Sequence, residues 1–502
     1  MSFIPYIIRT FRGGVSDESD KGVAGSFKHG QALNIHGRDD ILTAKQAMAT
    51  ILDSTTGVFS DGAGVYSSTG TTMTGYFPFM IPATDGSLYC FSNTGSIFAR
   101  SGDGAWTFVY NEENGAIKGA AEWKPSTGTK YLLWTTNTSI ARKELQGAEI
   151  TPDSGTARWT DVTANLKTTL DAADWHVMKI ANGQLMFGNG NYLGKFDYDD
   201  NFNVQALNLI PGNLIKTLDE RDDYVIMGSG RQDVSEEGHL WSWIVTAQNW
   251  IQKKRIPIQG VNAIINTELM LLQGGDDGEI FFSDFVNATP LHGVPGGGQV
   301  QPGGVTVEDD NALFGFYGGT YPGLWSYGRK RKNRPFALNY DYRLAKTVGG
   351  STISTIGAVV MINGTLLAAW GTTDGSTSDY GVDSISSTTK ATAVYEGLEF
   401  DGGAQHIKKG FDTVKLILSP LVAGTSVSVK YKLEKESSWR YAILGDATTT
   451  FSVTDATEAI FSIGRPANTY EVGVELNPTS NSSPEVHAIV TYVSKENQYD
   501  YA

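Results

Sequence analysis

The sequence predicts an all-β chain, and three observations predict it. Turn signals recur at near-regular spacing, each followed by a short apolar run. Glycine is abundant, 58 of 502 residues, against an ordinary share of about 7%. Aromatic residues are plentiful, with 22 Tyr, 22 Phe and 11 Trp, a composition that goes with strands and tight turns.

The stretch Val359–Trp370, VVMINGTLLAAW, shows the unit at its clearest. Two apolar runs flank Asn363-Gly364, the pair that best tolerates the positive φ values of a type I′ hairpin turn. Equivalent turn centres fall near Asp85, Gly128, Asn182, Asp222, Asn266 and Asp310. The intervals are 43, 54, 40, 44, 44 and 53 residues, the period of four-stranded propeller blades, about 40–50 residues.

Each turn has a strand before it (GYFPFMIP, KGAAEW, WHVMKI, NLIKTL, VNAIIN, GVTVED, IGAVVMI) and a nearly all-apolar strand after it (SLYCF, TKYLLW, QLMFG, YVIMG, ELMLLQ, ALFGF, TLLAAW). Strands covered on both faces lose the alternation of half-solvated ones. Third strands follow, from GSIFARS to PGLWSYG and the polar DYGVDSI. Fourth strands close the units, from AWTFVYN to TAVYEGLEF. The expectation is a β-propeller of about seven blades over residues 74–400.

Beyond Phe400 the rhythm changes. TVKLIL and SVSVKYKLE alternate apolar and polar residues, and EAIFSIG, TYEVGVELN and VHAIVTYV continue them. This is the pattern of half-solvated antiparallel sheet, expected as a jelly-roll-like β-sandwich over 401–502. Residues 1–73 are expected as an N-terminal arm and a Gly/Ser/Thr-rich loop. Within them DDILTAKQAMATIL fits a short helix or a strand equally.

Charge and residue inventory narrow the chemistry. The net charge of −15 disfavours a general nucleic-acid binder held by phosphate contacts. One cysteine, Cys90, excludes a disulfide framework and a Cys-based zinc site. No run approaches the ~20 apolar residues of a membrane span, and the N-terminus lacks a signal-peptide pattern. The expectation is a soluble product made in a cytoplasm.

No catalytic constellation stands out. His29, His36, His176, His239, His292, His406 and His487 are scattered, without metal-ligand spacing. Acidic runs at Asp197–Asn201, Asp276–Glu279 and Glu308–Asp310 read as turns in which Asp caps backbone N–H groups, rather than Ca²⁺ loops. SGDGAWTF, Ser101 to Phe108, resembles a shortened Asp-box turn, a structural feature even in sialidases. No nucleophile elbow or P-loop is present. No cofactor, no metal site and no enzyme activity are expected. The candidate contact patch is the basic run Arg329, Lys330, Arg331, Lys332 and Arg334, a concentrated positive field if repeated around a ring of subunits. A rival reading takes Trp241, Trp243 and Trp250, in HLWSWIVTAQNWIQ, as exposed glycan-binding aromatics.

The opening FRGGVSDESDKGVAGSFKHGQALNIHGRDDILTAKQA, the segment TYPGLWSYGRKRKNRPFALN and the ending GFDTVKLILSPLVAGTSVSVKYKLEKESSW…PEVHAIVTYV resemble virion proteins of tailed bacteriophages that join a β-propeller to a β-sandwich. The resemblance is diffuse and spans most of the chain. It implies a tail-nozzle or tail-tip component in a homo-oligomeric, hexameric ring around the DNA channel. Its partners would be a portal adaptor and a tail fibre or spike. Genomic DNA would pass without sequence-specific binding, retained until ejection. Localisation would be the virion tail, after synthesis in the host cytoplasm.

Overall fold

The computed structural model describes residues 3–16, 24–38, 40–54, 73–102, 106–145, 159, 161–231, 237–348, 350–374, 377–401 and 406–495. Strands dominate them; among the described residues the one α-helix is Ala345–Val348. The chain divides into two compact units, Ala49–Gly323 with Leu344–Ser384, and Met1–Met48 with Leu324–Arg343 and Ile385–Ala502.

The larger unit contains five successive four-stranded antiparallel sheets, each in sequential strand order. They begin at Phe79–Pro82, Gly119–Trp123, Met178–Ala181, Asn213–Arg221 and Ala263–Asn266. A hairpin of Val305–Glu308 and Asn311–Phe316 follows. The last sheet is built from Ile353–Ile362, Thr365–Asp374 and Thr377–Lys390, and its fourth strand is Gln46–Asp53. Each first strand lies against the next in order, and Ile353–Ile362 lies against Phe79–Pro82, so the seven first strands close a ring.

Local chemistry explains the repeat. Asn182, Asp222, Asp310 and Asn363 adopt φ of 50°, 54°, 67° and 48°, values that Asn and Asp tolerate better than other non-glycine residues. The second strands that follow are buried throughout in Leu88–Phe91, Met270–Gln273 and Asn311–Phe316. Two glycines let the ring close. A Cβ on Gly357 would stand 2.1 Å from the Phe77 carbonyl oxygen, and one on Gly303 2.1 Å from that of Pro78. At those points Ala358 N donates to Phe77 O at 2.8 Å and Val359 N to Gly303 O at 2.9 Å.

Two expectations change here. Thr392–Phe400 is not a fourth strand of the last sheet. Ala393–Gly397 instead pairs with Ser26–Gln31 and Tyr470–Asn477, and Gln46–Asp53 takes the expected place. That also settles DDILTAKQAMATIL, which contains a strand rather than a helix. The polar DYGVDSI lies inside a long strand, Thr377–Lys390.

The second unit brings both ends of the chain together. Phe3–Ile8 pairs antiparallel with Val486–Lys495, in a sheet with Lys409–Leu418 and Glu458–Ala467. A second sheet runs through Gly14–Val15, Ser26–Gln31, Ala393–Gly397, Tyr470–Asn477 and Ser426–Leu433. Phe411 of the first sheet meets Tyr470 of the second with ring centroids 4.3 Å apart. Of the expected N-terminal arm, Phe3–Ile8, Gly14–Val15 and Ser26–Gln31 are thus sheet strands of this unit, while Gln46–Asp53 belongs to the last sheet described above. Residues 55–72, the core of the predicted Gly/Ser/Thr-rich loop, lie outside the described residues.

Candidate functional site

Where the first strands of the larger unit converge they line an open-mouthed cavity of about 620 Å³, within the usual span of small-ligand sites, about 300–1,000 Å³. Its walls are unequal. Apolar lining comes from all round, from Phe79, Ile81, Val305, Val307 and Val359 and also from Met178, Leu218, Ile264 and Ile265. Polar lining is concentrated on three consecutive first strands, at Lys179, Thr217, Asp219, Glu220 and Asn266.

The polar side is tied together. Lys179 Nζ is 2.9 Å from Asp219 Oδ1, and Asn266 Nδ2 donates to Asp219 Oδ2 at 2.7 Å. Asn266 Nδ2 also donates to the Glu220 backbone oxygen at 3.2 Å, and Asn182 N donates to Glu220 Oε1 at 2.8 Å. Asp219 is almost wholly buried, whereas the Lys179 side chain is 46% exposed. An ammonium is thus held in place by a carboxylate that is itself anchored to the next sheet. Sequence reading missed this set because its members stand roughly one repeat apart. Superposing the repeats would have placed all three on first strands.

The predicted basic patch falls in the second unit, in the connection between Gly323–Gly328 and Ala337–Tyr342. The structure divides its residues by role. Arg329 Nη1 donates to Lys332 O at 2.7 Å, and its guanidinium lies 4.6 Å from the Phe336 ring centroid. Arg334 N donates to Arg331 O at 2.8 Å, closing a turn. Arg331 and Lys332 are exposed; Lys330 and Arg334 are half-buried. The patch is a folded turn with two outward cations at its tip.

Other candidates resolve into scaffolding. His176, fully buried, places Nδ1 2.8 Å from Gly188 O and Nε2 3.1 Å from Asn137 O. Asp197 Oδ1 accepts from Asp199 N at 3.0 Å and Asn201 N at 2.9 Å, the turn-capping role expected from sequence. Among the described residues no cluster of His, Cys, Asp and Glu is arranged to hold a metal ion. Asp103, Gly104 and Ala105 of the Asp-box-like stretch lie outside the described residues. Trp241 and Trp243 are buried core residues, and Trp250 packs edge-on against Trp241 at 5.2 Å. Those tryptophans are therefore not the exposed platform that the glycan-binding expectation required.

One constellation was not foreseen. Ser419 Oγ lies 2.9 Å from Glu485 Oε2 and 2.8 Å from His487 Nε2. A nucleophilic triad works in series, acid to imidazole to hydroxyl. Here both partners meet the hydroxyl itself, and Glu485 is also paired with Arg38.

No protein-family profile matches the chain, and no curated protein matches it. Solved structures do. The WD40 β-propeller domain of Doa1 aligns at 13% identity and a TM-score of 0.42, over 64% of this chain and 96% of that one. The β-propeller domain of Myceliophteria thermophila Cps50 (Swd1) aligns at 11% identity and a TM-score of 0.41, over 63% and 99%. The extracellular domain of a putative hybrid two component system from B. thetaiotaomicron aligns at 13% and 0.42, over 79% of this chain and 44% of that one. The class defined by the coordinates is an all-β protein of successive four-stranded antiparallel sheets. Among the described residues no helix is long and apolar enough to cross a membrane.

Proposed function

We propose that the chain is a structural virion protein of a tailed bacteriophage, a nozzle or tail-tip component that assembles as a homo-oligomeric ring around the DNA channel. In this reading residues 74–400 hold a β-propeller of about seven blades and residues 401–502 a β-sandwich. The observation that carries the reading is the closed ring of seven first strands, together with the three quoted segments that resemble such virion proteins. A closed ring of sheets, each packed on two neighbours, resists deformation, as a component that withstands genome pressure must. The central cavity is of small-ligand size, so the DNA path in this reading is the axis of the assembled ring. The acidic balance of the chain, −15, would disfavour adhesion of the passing phosphates. The chain acts here as a scaffold, without catalysis.

Cryo-EM of particles containing the chain tests the proposal. The expected density lies on the tail axis, below the portal adaptor, as a ring of copies. Density at the periphery of the particle, or release of sugar from host polysaccharide by the purified chain, would overturn it.

A further inference from the structure

The central cavity of the larger unit has a chemistry of its own, separate from any role in a ring. Its polar groups sit on Met178–Ala181, Asn213–Arg221 and Ala263–Asn266, three adjacent first strands. The same three strands also contribute Met178, Leu218, Ile264 and Ile265, and the remaining first strands present apolar surface, Thr306 apart. Such a two-sided lining is costly to leave facing only itself, because water on the apolar side gains no partners there.

The hydrogen-bonding capacity left on the polar side defines what would fit. Both Asp219 oxygens are used, one by Lys179 and one by Asn266. An ammonium has three donors, so Lys179 keeps donors for an acceptor on a ligand. Glu220 has one oxygen held by Asn182 N, which leaves the other for a donor. Charge narrows the choice. A cationic head would face Lys179, and an anionic head would face Asp219 and Glu220. Either meets repulsion in a partly desolvated space, where it is felt more strongly than in water. Groups that both donate and accept without charge, hydroxyls above all, satisfy both sides.

We propose that this cavity is a binding site for a neutral, polyhydroxylated ligand with an apolar face, a small glycoside or similar polyol. Its hydroxyls would engage Lys179 and Glu220, and its apolar face would lie on Phe79, Ile81 and Val305. The Asn266–Asp219–Lys179 chain is the positioning device that holds the ammonium where the ligand needs it.

Calorimetric titration of the full chain with three isosteric probes tests this. They are phenyl glucoside, which is neutral, phenyl glucuronide, an anion, and phenyl glucosaminide in slightly acidic buffer, a cation. The neutral probe is expected to bind one to one, at least ~10-fold tighter than either charged analogue, about 1.4 kcal/mol. Val307→Trp projects bulk into the cavity from a position that is 41% exposed, and is expected to abolish binding with an unchanged melting temperature. If that variant fails to fold, Ile81→Trp makes the same test. Lys179→Met is expected to weaken the neutral probe ~10-fold or more while improving the cation relative to it. Equal affinity for all three probes, no saturable heat with any, or unchanged binding in a folded cavity-filled variant would each overturn the proposal.

Discussion

The Thr50 hydroxyl donates to Asp383 Oδ1 at 2.8 Å, tying the fourth strand of the last sheet, which comes from the N-terminal part of the chain, to the third. The same carboxylate accepts from Trp370 Nε1 at 2.8 Å and from Ala345 N at 2.6 Å. Asp383 is fully buried, and burial raises its pKa against the pull of these donors and of Lys346. Lys346 completes the clasp by pairing with Asp53 at 2.7 Å and Asp379 at 2.6 Å. Asp383→Ala leaves three donors without their acceptor. It is expected to destabilise the chain by about 3 kcal/mol, and Thr50→Val by about 1 kcal/mol. A double-mutant cycle in urea should return a coupling of at least about 0.5 kcal/mol. Strict additivity would mean that the bond does not hold the strand.

Ring closure depends equally on what is absent from Gly357. A side chain there must displace the Phe77 backbone, whose carbonyl oxygen would be 2.1 Å from the new Cβ. Gly357→Val is expected to cost about 3 kcal/mol, at the upper end of ordinary overpacking. Gly364 is the control. It has φ of +77° with open space around it, so Gly364→Ala is expected to cost only about 1 kcal/mol of backbone strain. Similar melting temperatures for the two variants would contradict the close approach.

These two positions show what sequence could and could not convey. The turn at Asn363-Gly364 was legible because it is local: residue type, φ and flanking apolar runs all agree. The partner of the last sheet was not. Ala393–Gly397 has the burial alternation of any sheet strand, and proximity in sequence placed it in the wrong sheet. Its neighbours lie at 26–31 and 470–477, and nothing in the pattern of a single strand encodes a long-range partner. The third strand of the last sheet was legible only as the short polar DYGVDSI, because the carboxylates of Asp379 and Asp383 are matched by Lys346, Thr50 and Trp370, contacts that hydropathy cannot register. The polar side of the cavity was hidden because its residues come from three successive repeats, Lys179 from one, Thr217, Asp219 and Glu220 from the next and Asn266 from the third. The basic run was found as a patch, but only the fold separates Arg329, which braces the turn, from Arg331 and Lys332, which face solvent.

Four histidines, His29, His36, His176 and His239, are lowered by burial and impose a pH dependence whose sign is fixed by their surroundings. Burial, reinforced by Lys253, Arg231 and Arg255 and opposed by Glu237, lowers His239 to about 4. Burial likewise lowers His36 to about 4, with Asp341 opposing and Lys45 assisting. His176 is lowered by burial against the opposing pull of the Gly188 and Asn137 carbonyls. Unfolded, each would titrate near its ordinary value of about 6.5. The unfolded chain therefore binds more protons as pH falls from about 6.5 towards 4. The stability held by the neutral rings is complete above that window and is lost descending through it. Asp383, with its raised pKa, contributes in the opposite direction as pH rises from its unfolded value of about 3.9. The urea midpoint is expected to fall between about pH 7 and about pH 5, and His239→Phe should flatten part of that slope. A midpoint constant across the range would show that the rings are not held neutral.

The tip of the basic turn gives a prediction that separates stability from assembly. Arg331 and Lys332 are exposed, so Arg331→Glu and Lys332→Glu together are expected to change folding stability by no more than about 0.5 kcal/mol. Arg329→Ala is different. It removes both the bond to Lys332 O and the contact with Phe336, and is expected to cost about 1 kcal/mol. If the two outward cations meet acidic surface on a neighbouring copy, the double charge reversal should abolish ring formation in sedimentation experiments. In the unmodified chain, assembly should then weaken steeply with added salt, as exposed charge pairs do. Rings that survive both the reversal and high salt would remove this turn from the interface and leave it as a solvated connector.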